Sequence, residues 1–350
     1  MYFIIYLLVP LIGILGIIGI IFFIRRLKKK NSGENFNKED SLSQAFALLS
    51  LCFFGVTLAV FNRDLGQAIS WQTILLISGI VGMIISYYLK FVSTLAPSLI
   101  GLTVWWSFKA DEWISDKNIK GTSLIAALVF IALIAYLMSR YHEKEFKWRR
   151  FRKIYSALGL STITVVLFIF SMDEGLKIFE NVTNGDPFIY SWQISLSLLI
   201  FLTSLVGLAT YDLIHRLIIK SEYLVILGLG GLFLIISLLP EQNLFDGGAL
   251  NAIGFLAAIF FNLMVFLQLL AFILLGYLKR KSWFINLGTF LLFLFIFIKY
   301  FDWFFDFIDK SIFFISAGLL LFLVGYFMEK ARRRMIEKIK PQPQPQQIIQ

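Results

Sequence analysis

Cysteine is nearly absent from this 350-residue chain: Cys52 stands alone, inside an apolar run. A single thiol excludes an intrachain disulfide and any cysteine-based metal site. The expected role for it is that of a small buried hydrophobe. Histidine is almost as scarce, with His142 and His215 the only two. Charge is scarce as well: 15% of residues are charged, against about 25% in an average soluble domain. Short segments of alternating hydrophobicity are missing too, which argues against a membrane β-barrel.

What is present is apolar. Hydrophobic residues make up 59% of the chain and aromatics 17%, more than one soluble core requires. They fall in runs close to the length that carries a helix across a bilayer. Eleven runs can be delimited, at residues 2–24, 42–61, 71–89, 91–108, 122–139, 155–172, 190–214, 223–239, 251–278, 283–298 and 312–328. The expected fold is therefore an all-α polytopic transmembrane helix bundle of about 11 spans. The run at 91–108 is short and contains Pro97, and a polar loop is expected from Lys109 to Lys120. Four segments suggest themselves: an N-terminal helix with a basic linker (1–40), core membrane helices (41–240), a C-terminal three-helix segment (241–340) and a disordered Pro/Gln tail (341–350).

The net charge of +10 would raise nucleic acid as a partner in a soluble protein. Here the basic residues cluster directly after apolar runs, so no nucleic-acid partner is expected and the cheaper reading is topological. No positive region precedes the first run, and Arg25, Arg26, Lys28, Lys29 and Lys30 follow it, which is the reverse of a cleaved signal peptide. With the N-terminus outside and the C-terminus cytoplasmic, 25 of the 32 basic residues fall inside and 7 outside. The lipid bilayer is the expected partner. Anionic headgroups are expected at the Arg25–Lys30 cluster and at Arg149, Arg150, Arg152 and Lys153.

No motif announces chemistry. His142-Glu143 begins like a zinc-protease signature, but Phe146 stands where the second histidine belongs. Gly228-Leu-Gly230-Gly231 lies in an apolar span and reads as helix packing. Asp212 and Arg216, four apart, are expected to pair on one helix face. The spans otherwise look almost free of ionisable side chains. No cofactor, metal or catalytic residue is expected.

Two polar faces remain. Asn251 and Asn262 return to the same side of one helix at 100° per residue, an intramembrane face. In Lys299-Tyr-Phe-Asp-Trp-Phe-Phe-Asp-Phe-Ile-Asp-Lys310, the residues Asp302, Asp306 and Asp309 fall with both lysines on one arc, and the aromatics occupy the rest. That pattern predicts an amphipathic helix in the outer interface or capping the tenth span, with Lys299–Asp302 and Asp306–Lys310 pairs.

From residue 251 onward the pattern is familiar. Lys279-Arg-Lys-Ser-Trp-Phe-Ile-Asn-Leu-Gly288, Lys299-Tyr-Phe-Asp302, Phe313-Phe-Ile-Ser-Ala-Gly318, Gly325-Tyr-Phe-Met-Glu329 and Arg332-Arg-Arg334 follow one another. This resembles the C-terminal part of a bacterial family of predicted multi-pass membrane proteins, the domain-of-unknown-function twenty-one fifty-seven family. Lys299 stands where that family more often has Arg. The first span with its linker departs from the family's usual soluble N-terminal segment. The resemblance implies architecture and a bacterial inner (plasma) membrane, and no catalytic residue. The function expected first is a non-enzymatic structural, assembly or sensing membrane component. A transporter or flippase-like permease is the alternative, and a membrane-embedded lipid-linked transferase is third.

Overall fold

A computed structural model of the chain describes residues 38–144, 148–239, 243–246, 249–278, 280, 282–304 and 310–339. The expected first span with its Arg25–Lys30 cluster, Asp306, Asp309 and the Pro/Gln tail lie outside these residues. The described chain is all-α, apart from a two-residue antiparallel ladder that pairs Phe245 with Leu250.

Among the described residues eleven α-helices follow one another. They are α1 (Lys38–Asp64), α2 (Trp71–Leu89), α3 (Val92–Lys117), α4 (Thr122–Lys144), α5 (Phe151–Phe170), α6 (Asp173–Thr183), α7 (Trp192–Ile214), α8 (Lys220–Leu238), α9 (Ala252–Leu278), α10 (Ser282–Phe304) and α11 (Lys310–Ile339). Nine helices among the described residues are long and apolar enough to cross a membrane; α3 and α6 are not among them. Large side chains such as Ile214, Leu224, Ile315 and Phe322 stand exposed on these helices. So many apolar faces are untenable in water and are matched by lipid. The protein is a multi-pass integral membrane protein.

Two expectations need correction. The fourth run does not stop at Phe108: α3 is one 26-residue helix through Lys117, and Asn118 ends it in the left-handed conformation. Residues 109–117 are largely polar but contain no helix breaker, and polarity alone does not end a helix. Lys109 and Glu112 pair at 2.6 Å along this end, as i,i+3 neighbours do. The second is the stretch between the runs at 155–172 and 190–214, which no apolar run covers yet which holds α6 and a 3₁₀ turn, Phe188–Tyr190.

The helices gather in two compact units. The first comprises described residues up to 163 and from 183 to 239. Its core helix is α4, whose Ala126, Ala127, Val129, Phe130, Leu133 and Leu137 are buried. Small residues set the spacing around it. A Cβ on Gly159 would lie 2.5 Å from the Ala132 carbonyl oxygen, so α5 and α4 meet backbone to backbone. The Ser78–Gly82–Ser86 face of α2 packs closely: a Cβ on Gly82 would meet Ser98 and Leu51, and Ser86 Oγ shares a hydrogen bond with Thr94 Oγ1 at 2.8 Å. Of the three glycines at 228–231, only Gly230 is crowded, by Leu205. Cys52 is exposed on α1 rather than buried.

The second unit comprises described residues 164–182 and 243–339. It holds the end of α5, α6, and the hairpins formed by α9, α10 and α11. Gly276 and Gly288 let α9 and α10 approach closely: an added Cβ would lie 2.7 Å from Ile285 N and 2.8 Å from Ile273 Cγ1, respectively. In its core Phe179 packs edge to ring against Phe170 and Phe261, which are tilted to each other.

Candidate functional site

In the first unit, Tyr136, Arg140 and Glu143 stack along one face of α4, spaced by four and three residues as a helix requires. Glu222, in the first turn of α8, comes to that face. Arg140 Nη2 donates to Glu222 Oε1 at 2.9 Å and also to the Tyr136 hydroxyl, which itself donates to Glu222. The guanidinium stands over the Tyr136 ring, 4.9 Å from its centre. Arg140 Nη1 reaches Glu143 at 3.4 Å, and Arg152 Nη1 of α5 donates to the other Glu143 oxygen at 2.7 Å. Arg140 is 4% exposed and Glu222 9%, so the pair is withdrawn from water. Two ions so placed remain tolerable only while each satisfies the other.

Asp212, three residues from the end of α7, belongs to the same neighbourhood. It is 1% exposed, and neither carboxylate oxygen meets a hydrogen-bond partner among the described residues. Arg140, Glu222 and His215 are the charged or titratable groups that act on it. The expected Asp212–Arg216 pair does not form. Helix α7 ends at Ile214, and Arg216 takes a left-handed φ of 58°. The i,i+4 geometry is therefore lost.

Beside this cluster lies a chain of hydrogen bonds. His142, 1% exposed, donates from Nδ1 to the Met138 carbonyl at 2.6 Å. With that proton placed, Nε2 of the neutral ring accepts from the Tyr87 hydroxyl at 3.0 Å, which accepts from Tyr155 at 2.8 Å. His142 stacks on Tyr155 with ring centres 5.0 Å apart. No family model, curated protein or solved structure matches this chain. The site therefore has to be read from its own geometry.

The residues singled out in the sequence go elsewhere. Asn251 precedes α9 and caps it: its side-chain oxygen accepts from Gly254 N at 2.8 Å, and its amide nitrogen donates to Asn243 O at 2.6 Å. Asn262 lies eleven residues on, about 16 Å along the axis, and donates to the Ser171 carbonyl at 3.1 Å and to Ala258 O at 2.8 Å. The two amides, one before the helix and one within it, serve separate tasks and do not line one site.

Asp302 is brought to Asn262's partner instead. Lys299, 5% exposed, pairs with Asp302 at 2.7 Å and donates to the same Ser171 carbonyl, at the C-terminal end of α5. A cation at a helix C-terminus satisfies carbonyls that have no partner in the helix. Helix α10 runs unbroken from Ser282 to Phe304. Lys299 and Asp302 therefore continue the tenth span, and Lys299 is buried where an interfacial helix would present it to headgroups. Lys120 does the same work in the first unit: it is 4% exposed and donates to the Leu239 carbonyl at the end of α8, at 2.7 Å.

The cluster around Arg140 escaped the sequence because run boundaries were drawn at the first charge. The run ending at residue 139 stops one short of Arg140, and that beginning at 223 starts one after Glu222. Both residues are helical. One signal was available. The ends of the fifth and seventh runs and the start of the eighth lie on one predicted side, which brings Arg140, Asp212 and Glu222 to one level. Of the basic residues expected to face headgroups there, Arg152 pairs with Glu143. The arrangement holds five ionisable groups on four helices, with one carboxylate left over.

Proposed function

We propose that this protein is a permease for small solutes, and that the Arg140–Glu222 cluster is a gate at one end of its pathway. The observation that supports this is the burial of the pair across α4 and α8, beside Asp212 of α7. Charges inside a membrane bundle are expensive and mark pathways, relays or sensors. A scaffold would need none of them, since small residues and apolar surface suffice to pack helices in lipid. The pair sits toward the ends of its helices, the place for a gate rather than a midplane binding site. The basic asymmetry supports a cytoplasmic position for that end. A bacterial inner membrane and kinship with the domain-of-unknown-function twenty-one fifty-seven family belong to this same reading, supported by the C-terminal residues already quoted. So does headgroup contact at Arg149, Arg150 and Lys153.

The test is counterflow. The full chain is reconstituted in liposomes preloaded with a panel of amino acids, sugars, nucleosides and organic ions, each tracked by its radiolabelled form outside. At least one class is expected to accumulate above protein-free vesicles, and Arg140→Gln is expected to abolish it. No accumulation of any class by correctly folded protein defeats the permease reading and returns the structural or sensing role to first place.

A further inference from the structure

We infer that Asp212 is a proton-binding site, and that its proton decides which carboxylate Arg140 holds. The inference rests on the permease reading and supplies its driving ion.

The first observation is charge. Arg140 and Arg152 bring two positive charges to the cluster, and Glu143, Glu222 and Asp212 bring three negative ones. Among the described residues no cation is bonded to Asp212. The second is satisfaction. Glu222 accepts from Arg140 and Tyr136, and Glu143 from Arg140 and Arg152. Asp212 alone accepts nothing among the described residues while being 1% exposed. An ionised carboxylate left this way would be very costly. A neutralising charge therefore belongs on Asp212.

Its nature follows from the ligands. A hard metal cation gathers about six or more oxygens, and no group of three or more Asp, Glu, His or Cys among the described residues could hold one. A proton needs a single oxygen. It comes from water at the membrane face: one O–H bond breaks in hydronium, one forms on Asp212, and no electrons change hands.

The consequence follows from the neighbours. Arg140 of α4 and Glu222 of α8 face Asp212 from the packed helices, and His215 follows it on its own strand of chain. Helix α3 meets α7 through Trp106 and Phe201, about three turns away. Arg140 Nε is itself buried and has no partner among the described residues, so the guanidinium has a donor to offer. With Asp212 protonated, Arg140 stays with Glu222. With Asp212 ionised, a further carboxylate competes with Glu222 for a guanidinium that also reaches Glu143, and the α4–α8 link loosens in favour of α4–α7. A two-state element is thus coupled to proton binding, as a proton-driven gate requires.

Infrared difference spectroscopy between alkaline and acidic pH tests this on the full chain in lipid nanodiscs, with no solute added. A protonated-carboxyl band is expected in the parent, lost in Asp212→Asn and restored at a shifted frequency in Asp212→Glu. Replacing sodium by potassium is expected to leave it unchanged. Nitroxide labels on Ile214→Cys and Leu224→Cys, in a Cys52→Ser background, are expected to change separation across the same pH step in the parent and not in Asp212→Asn. A band that survives Asp212→Asn overturns the site. A band that sodium abolishes at fixed pH replaces the proton by a metal cation and equally overturns it. A separation indifferent to pH overturns the switch. Equal helicity of the variants by circular dichroism guards against misfolding. Because no solute is present, these results stand apart from failure of the counterflow assay.

Discussion

The Arg140 guanidinium donates at 2.9 Å to the Glu222 carboxylate across 82 residues of sequence, with both side chains buried. Removing one ion strands the other. Glu222→Gln or Arg140→Gln should therefore destabilise the protein by about 3–5 kcal/mol, whereas the paired apolar replacement Arg140→Met with Glu222→Leu should recover most of that loss. Reversible unfolding in mixed micelles, run as a double-mutant cycle, measures the coupling. A loss in the double variant equal to the sum of the two single losses would show that the pair contributes nothing of its own.

Two glycines predict opposite outcomes for the same substitution. Gly159→Ala would place a methyl 2.5 Å from the Ala132 carbonyl and 2.8 Å from the Tyr136 nitrogen. Backbone cannot step aside, so α5 must shift off α4 at a cost of about 1–3 kcal/mol. Gly228→Ala meets nothing within 4 Å and should gain up to about 1 kcal/mol from helix propensity. Thermal unfolding of the two variants beside the parent decides both.

Apolar length carried most of what could be read from the chain. Long runs in a chain this poor in charge specify spanning helices whatever their neighbours. What escaped is where hydropathy and helicity part. Residues 109–117 are polar yet helical. Arg140 and Glu222 sit just beyond the apolar limits yet inside helices. Asn251 satisfies a helix-wheel argument, yet it lies before the helix begins. Burial of Lys299 was hidden for a further reason: its partner is a main-chain carbonyl at Ser171, 128 residues away, and a backbone acceptor leaves no mark in a side-chain pattern.

Lys299 bridges Asp302 and the end of α5. Lys299→Met leaves the Asp302 carboxylate without its cation, and leaves the Ser171 carbonyl with the Asn262 amide as its side-chain donor. The loss should be about 3 kcal/mol, near the lower end for a buried pair because Asp302 is partly open. Hydrogen exchange at residues 168–172 should quicken, while exchange at the far end of α5 stays as in the parent. Lys299→Arg should retain most of the protection. Exchange that quickens equally along all of α5 would mean that Lys299 stabilises the fold at large rather than this helix end.

The orientation turns on α3. Its 26 residues reach about 39 Å at 1.5 Å each, enough to cross a core of about 30 Å, yet it is absent from the helices whose composition alone marks them as spans. If α3 crosses, Lys90 and Lys117 lie on opposite sides, and the seven basic residues between 140 and 153 fall in the cytoplasm, where the positive-inside bias places them. If α3 stays on one face, every later segment inverts and that cluster is exported, against the same bias. Single cysteines at Lys90, Lys117, Lys153 and Asn184, in a Cys52→Ser background, separate the two. A membrane-impermeant maleimide should label Lys117→Cys and Asn184→Cys in intact cells, and Lys90→Cys and Lys153→Cys only after permeabilisation. Matching behaviour at Lys90 and Lys117 would place α3 on one face and overturn the topology on which the cytoplasmic gate depends.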